Sequence, residues 1–427
     1  MSHLADAALA ARLHGSRERL IELTQALVRV PSPTPPGDTT AVARLATALL
    51  GRVDGAEVRE VTAVPPFANV VARLRGCAEG RRLVFNGHLD TFPLGDDSAW
   101  SVPPLGGVLR RAKLFGRGVS DMKGGIACSL LAFEILAEMR DRWSGELVVT
   151  LAADEESMGP HGTKYLLDTL PYAAGDAMIS GDVGSPDVLR FGEKGLFWLE
   201  ITAVGHPAHG AHVHRGVNAI DRLRRALDAL EGAVRALPVR MPEPVAGAIA
   251  EAREISERSS GAGEAEVLGK ATVNIGTIEG GVSTNLVPAL ARATADIRLP
   301  LGLTTSEIER QLTAVLAAHD GVSWRVLRRF EPNHTDPDHE IVGCVADAAA
   351  AVLGRRPVVN MRIGASDARW YRMHGVPTVI YGPTPFNMGG ADEYVLVDEL
   401  HAVAKVHCLA ALSFLAGDHT RERTCCE

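Results

Sequence analysis

Residues 82–91 read Arg82-Leu83-Val84-Phe85-Asn86-Gly87-His88-Leu89-Asp90-Thr91. The apolar run is strand-like, and it ends on a histidine with an aspartate two residues further on. Two more segments repeat that arrangement. Gly116-Arg117-Gly118-Val119-Ser120-Asp121-Met122-Lys123-Gly124-Gly125 precedes a helical stretch, and Ala152-Ala153-Asp154-Glu155-Glu156-Ser157 follows the apolar run from Glu146. Strand, helix, strand with β-branched apolar strands predicts an α/β sheet buried on both faces. Open sheets of this kind gather their sites at the C-terminal ends of the strands. An imidazole, a lone carboxylate and a carboxylate pair in such places are the parts of a hydrolytic metal site. Mixed nitrogen and oxygen donors suit zinc, manganese or cobalt, and a spare carboxylate can deprotonate water.

Working outward, residues 16–29 carry apolar positions at helical spacing, stopped by Val30-Pro31-Ser32-Pro33. Thr39 to Leu50 reads as a second helix, Ala68 to Leu74 as a strand, and Gly124 to Arg140 as a long helix. The character changes near Lys194. Gly195 to Val204 alternates apolar and polar residues, as a half-exposed antiparallel strand does. A helix from Asn218 to Leu237 and a charged, Gly-containing loop follow. Strands then run over Lys270–Ile278 and Ala289–Leu299, a helix starts at Thr304, and a strand covers Val322–Arg329. That β-α-β-β-α-β order predicts a ferredoxin-like module. The α/β pattern resumes over Glu340–Leu353, Val376–Tyr381 and Leu400–Ala416. The expected organisation is a catalytic domain in two parts, 1–195 and 332–427, with an inserted lid and dimerisation domain at 196–331.

Bulk properties narrow the function. A chain of 427 residues is too long for one ordinary core, which agrees with two domains. The formal charge of −8 offers no basic patch for nucleic acid. No apolar run is expected to reach the roughly 18–20 residues that a membrane span needs, and the N-terminus does not read as a signal peptide. The six cysteines, Cys77, Cys128, Cys344, Cys408, Cys425 and Cys426, lack pairing or zinc-finger spacing, so reduced thiols in a cytoplasm are expected.

Each element of the constellation is unremarkable alone. A lone His88 is more often a satisfied histidine, Asp121 suits an N-cap, and adjacent surface carboxylates such as Glu155 and Glu156 are commonplace. Asp90 points to the same side as His88 in an extended chain, so it can orient the imidazole. Together, in order and at strand ends, they resemble the M20 metallopeptidase and amidohydrolase family of deacetylases, desuccinylases, carboxypeptidases and aminoacylases. Gly87-His88-Leu89-Asp90, the Asp121 segment, Asp154-Glu155-Glu156 and Ser180-Gly181-Asp182 are similar to its metal-site motifs. Gly205-His206-Pro207-Ala208-His209, Gly216-Val217-Asn218, Gly280-Gly281-Val282-Ser283-Thr284-Asn285 and Asp296-Ile297-Arg298 resemble its lid motifs, and Gly364-Ala365-Ser366-Asp367 a further loop.

The resemblance implies a mixed-sheet metallopeptidase catalytic domain with an inserted ferredoxin-like α+β lid. It implies that Asp121 bridges metals, that His88 and Asp182 complete one site, and that Glu156 belongs to the other. Glu155 would be the general base. His209, from the neighbouring subunit's lid, would stabilise the oxyanion, and Asn285 and Arg298 would grip a small carboxylate-bearing substrate. A homodimer or a multiple of dimers follows from that sharing. One position departs: Gly389 stands where the family's last histidine ligand belongs, before Asp392-Glu393. Asn387 or His374 could substitute, but one divalent ion (Mn, Zn or Co) per chain is the simpler expectation. Three functions follow. The first is hydrolysis of the amide of an N-acyl amino acid or dipeptide-like acid. The second, motivated by Gly389, is ammonia release by an aminohydrolase acting on an aromatic amine such as 5-nitroanthranilate. The third is a non-catalytic binding protein on the same scaffold, disfavoured because His88, Asp121, Glu155, Glu156 and Asp182 are all present.

Overall fold

The computed structural model describes residues 7–416; Cys425 and Cys426 lie outside them. Two compact units emerge. One comprises the described parts of Met1–Phe191, Thr335–Asn360 and Ser366–Glu427, and the other Gly192–His334 with Met361–Ala365.

In the larger unit, strands lie side by side in the order Glu57–Thr62, Ala68–Arg75, Glu146–Ala152, Arg82–His88, Ala177–Ser180 and Thr378–Ile380. The first three pair antiparallel, and the last four run parallel, so the sheet is mixed. Register places the site. His88 is level with Ala152, and Asn86 with Ser180. Three of the four parallel strands therefore end within two residues of one level, and the segments leaving them carry Asp90, Glu155–Glu156 and Asp182 out at the same edge.

The helix Gly124–Ala137 is buried almost all round, which is why its sequence shows no polar face. Its first turn packs on the loop after Ser180. A Cβ at Gly125 would stand 1.9 Å from the Gly181 carbonyl oxygen, so only glycine permits this approach. The helix Val397–Ala416 corrects the expectation about apolar runs. Its 20 residues, with a mean hydropathy of 1.3 over the best window, meet the length and apolarity of a membrane span. That window is 72% buried inside the protein, so its apolarity is that of a core helix.

The smaller unit is an antiparallel sheet in the order Thr272–Gly280, Leu290–Leu299, Gly195–Val204, Val322–Phe330. Its inward residues Leu199, Ile201, Ala293 and Ile297 meet Leu223, Leu230, Ile308 and Leu312 of the helices Ala219–Arg235 and Thr305–Leu316. Asn218 caps the first helix by accepting from the Ile220 and Asp221 N–H groups. Thr304 and Glu307 form a capping box on the second. The arrangement is the ferredoxin-like order with one correction. The stretch read as a charged loop contains the 18-residue helix Glu243–Ser260 and the short helix Glu264–Leu268. Only Val245, Ile249, Ala252 and Ser256 are buried along the longer one, about one residue per turn. So thin a stripe among Glu, Arg, Ala and Gly leaves almost no hydrophobic periodicity to read.

Candidate metal centre

His88 is buried at the end of its strand. Its Nδ1 lies 2.9 Å from the Asp90 carbonyl oxygen and its Nε2 3.0 Å from Asp121 Oδ1. Asp182 completes the group: one ligand atom each from His88, Asp121 and Asp182 falls within a 4.8 Å cluster, all three residues being buried. Burial pulls the His88 pKa down, but the bond to Asp121 and the carboxylates of Glu155, Asp121 and Asp90 outweigh it and carry it well above the ordinary value.

The Asp90 carboxylate does something other than expected. Its Oδ1 is 3.7 Å from His88 Nδ1, and the imidazole is oriented chiefly by the Asp90 main-chain oxygen. The carboxylate instead accepts the backbone N–H groups of Glu155 and Glu156 at 3.1 and 3.0 Å, and the Thr34 hydroxyl at 3.0 Å. One short side chain thus fixes the turn that presents the glutamate pair. Burial raises its pKa despite these donors and His88.

Asp121 is not an N-cap, since Lys123 holds that position for Gly124–Ala137. Its loop is shaped by Gly118 at φ +76°, where a Cβ would sit 2.3 Å from the Thr91 methyl, and by Glu393. The Glu393 carboxylate accepts from Arg117 Nη1 at 2.6 Å, Gly118 N at 3.2 Å, and Ser120 N and Oγ at 2.9 and 2.7 Å. Glu393 is thereby committed to holding this loop. His374, Asn387 and Asp392, the other donors near Gly389 in sequence or proposed in its place, also have structural partners. His374 bonds Trp370 O and Asp168, Asn387 donates to the Asp392 carbonyl, and Asp392 accepts from Ser101 N. Gly389 itself has φ +73°, and its carbonyl accepts from Arg117.

Glu155 is buried, and burial, aided by Asp367 and Asp182 and opposed by His88 and Arg369, pushes its pKa up to about 8. Glu156 is pushed up to about 10, by burial and then by Asp121. Its Oε1 is buried without a hydrogen-bond partner. An acceptor left bare beside three further carboxylates and one imidazole is costly without a cation. The donor set therefore fits a divalent transition metal.

Two sets of residues went unread. Asn86 Nδ2 donates to Thr150 Oγ1 and Thr163 Oγ1, and Thr163 donates to Asp367 Oδ2 at 2.7 Å. Beside Asp367 lies Arg369, fully buried, with Nη1 3.7 Å from Glu155 Oε1. The other set is Arg117 with Glu393. In the smaller unit, Arg298 Nε donates to both Asp296 oxygens, Ser283 donates to Asn285, and His209 is exposed with Nδ1 accepting from Ala211 N.

The sequence profile of peptidase family M20/M25/M40 matches residues 84–413. This chain belongs to that family. It is 32% identical over 403 residues to a succinyl-diaminopimelate desuccinylase of Methylorubrum extorquens, covering 91% of this chain and 96% of the relative. Its fold matches the M20 metallo-carboxypeptidase of Sulfolobus solfataricus with a TM-score of 0.77 at 19% identity, over 93% and 98% of the two chains. A dinuclear metal-binding M20 peptidase of Bacillus subtilis matches with a TM-score of 0.64 at 15% identity, over 94% and 99%. The protein is a metal-dependent M20 hydrolase acting on C–N bonds. Its architecture is that of the M20 metallopeptidases, a mixed α/β catalytic domain with a lid.

Proposed function

We propose that this M20 hydrolase cleaves the amide bond of a small carboxylate-bearing N-acyl amino acid or dipeptide-like acid. His88, Asp121 and Asp182 would hold one divalent ion, with Glu156 beside it and Glu155 as general base. The convergence of the three buried ligands carries this reading. A divalent ion there supplies a Lewis acid that polarises a carbonyl and acidifies water. Glu155 takes the proton from the attacking water and passes it to the amide nitrogen as the C–N bond breaks. A carboxylate that can accept a proton from water and return it to nitrogen suits that double duty. Asn285 and Arg298 bind the substrate carboxylate.

The same proposal assigns residues 196–331 to a lid and dimerisation domain, flanked by catalytic segments 1–195 and 332–427. Within the smaller unit, Thr272–Gly280 is an edge strand, and Ile278, Val282, Leu286 and Leu290 are exposed. Such an edge with an apolar rim suits pairing between two copies, from which His209 would reach the partner's site. The free thiols Cys77, Cys128, Cys344 and Cys408 suit a reducing compartment such as the cytoplasm.

The aminohydrolase alternative rests on Gly389, which contributes no ligand side chain. A panel decides: N-succinyl-diaminopimelate, N-acetyl amino acids, dipeptides and 5-nitroanthranilate, each with Mn²⁺, Zn²⁺ or Co²⁺. Release of a carboxylic acid or an amino acid is expected. Ammonia from the aromatic amine alone would replace this reading with the second, and no turnover at all would leave the binding-protein reading in its place.

A further inference from the structure

Glu155 emerges from a turn, so the backbone N–H groups donated to Asp90 fix its main chain but leave its carboxylate to be placed by something else. His88 and Arg369 are the cationic groups that act on it, and the Arg369 guanidinium stands 3.7 Å from Nη1 to Glu155 Oε1, with both residues buried. Arg369 is itself anchored through Nη1 and the Trp370 ring. Nη1 donates to the Ser366 carbonyl at 2.6 Å, and the guanidinium carbon lies 5.1 Å from the Trp370 ring centre. Nη2 is 3.9 Å from Asp367 Oδ1, while Asp367 Oδ2 is anchored by Thr163, which Asn86 on the His88 strand holds in turn. The guanidinium thus stands between two carboxylates that would otherwise repel each other in a low-dielectric interior. Arginine suits this place because its fixed fork can face both at once, whereas an ammonium is a single point charge.

We infer that Arg369 is a positioning residue: by standing between Asp367 and Glu155 it keeps the Glu155 carboxylate aimed at the site formed by His88, Asp121 and Asp182. This rests on the reading of Glu155 as general base. Without the guanidinium, Asp367 would push the Glu155 carboxylate away, and displacement of a reacting group by about 1 Å can cost 10²-fold in rate.

The test compares Arg369→Gln, Arg369→Lys, Glu155→Gln and the double variant in the metal-loaded enzyme, with N-succinyl-diaminopimelate as substrate. Arg369→Gln should lower kcat roughly 10- to 100-fold with KM and metal content unchanged, and Arg369→Lys should recover part of the loss. In the Glu155→Gln background Arg369→Gln should add little, since the group it positions is gone. A crystal structure of the metal-loaded Arg369→Gln enzyme should show Glu155 swung away and His88, Asp121 and Asp182 unmoved. The Lys variant carries both measurements if the Gln variant does not fold. Unchanged kcat, losses that multiply in the double variant, or an undisplaced Glu155 overturns the inference while leaving Glu155 its role. If Glu155→Gln stays active, the base assignment fails instead, and the crystal structure alone decides whether Arg369 positions the side chain.

Discussion

The Glu393 carboxylate accepts both the N–H and the hydroxyl of Ser120, at 2.9 and 2.7 Å, across 273 positions of sequence. The last part of the chain thereby holds the loop that presents Asp121. Arg117 closes the arrangement, and both members of the pair are almost wholly buried.

Glu393→Ala should therefore destabilise the protein by about 3–5 kcal/mol, the usual cost of leaving one member of a buried ion pair uncompensated. Metal affinity should fall with it, because the Ser120–Asp121 backbone loses its acceptor. Urea denaturation and a metal titration check this. A Glu393→Ala protein within about 1 kcal/mol of wild type would show that removing Glu393 leaves no costly uncompensated charge on Arg117.

Glu155→Gln keeps the shape of the side chain and the backbone N–H bonds donated to Asp90, but removes the proton acceptor. Turnover should fall by roughly 10²–10⁴-fold, with folding and metal content preserved. A variant retaining more than about a tenth of wild-type turnover rejects Glu155 as the general base.

The site was legible in the sequence to the extent that local segments carry it. His88, Asp121, Glu155–Glu156 and Asp182 each follow an apolar run or precede a helix, and the register of His88 with Ala152 and of Asn86 with Ser180 brings most of these segments to one edge. What could not be read depends on approach across the fold. Thr163 meets Asp367 over 204 positions, and Arg117 meets Glu393 over 276. No spacing rule reports such pairs, although Arg369 lies only two residues past a motif already singled out. That Asp90 orients His88 mainly through its main-chain oxygen could not be read for a related reason: alternation along a strand gives the side of its carboxylate but not the competing N–H groups of a neighbouring turn. The helix Glu243–Ser260 escaped because its buried stripe is one residue wide.

His407 gives a separable pH dependence. It is fully buried, with Nε2 2.7 Å from the Tyr381 carbonyl and its ring stacked on Phe85. Burial pushes its pKa down to about 4 from an ordinary 6.5. The unfolded chain therefore binds this proton first as pH falls, so the stability His407 contributes is complete above pH 6.5 and is lost as pH drops through 4. At most about 3 kcal/mol is involved. Urea midpoints for wild type and His407→Asn should converge between pH 7 and pH 4.5. A constant difference over that range would show that His407 does not titrate this way.

If His209 acts across a subunit boundary, two dead proteins can repair each other. His209→Ala and Asp121→Ala, mixed and allowed to exchange subunits, should regain up to about a quarter of wild-type activity, the share expected if random pairing gives half mixed dimers with one intact site each. A fully active monomer in solution, or no recovery once exchange is shown by mass, rules out the shared site.

Metal loading should run opposite to His407 in pH. Burial pushes Glu155 to about 8 and Glu156 to about 10, against an ordinary 4.5. Without metal the folded protein keeps these protons while the unfolded chain releases them. Their contribution is then full below pH 4.5 and is lost as pH rises through 8 and 10. The chelator-treated protein should accordingly melt lower at pH 8.5 than at pH 6. A divalent ion binds the deprotonated carboxylates and the folded state alone, stabilising it by about 4 kcal/mol at a free concentration a thousand times Kd. The rise in melting temperature on adding Zn²⁺ or Mn²⁺ should be larger at the higher pH. With glycine at 389 and Glu393 committed to Ser120, saturation should come at about one ion per chain. Calorimetric titration that saturates at two tightly held ions per chain would refute the single-ion reading and point to a donor other than His374, Asn387, Asp392 or Glu393 in their present positions.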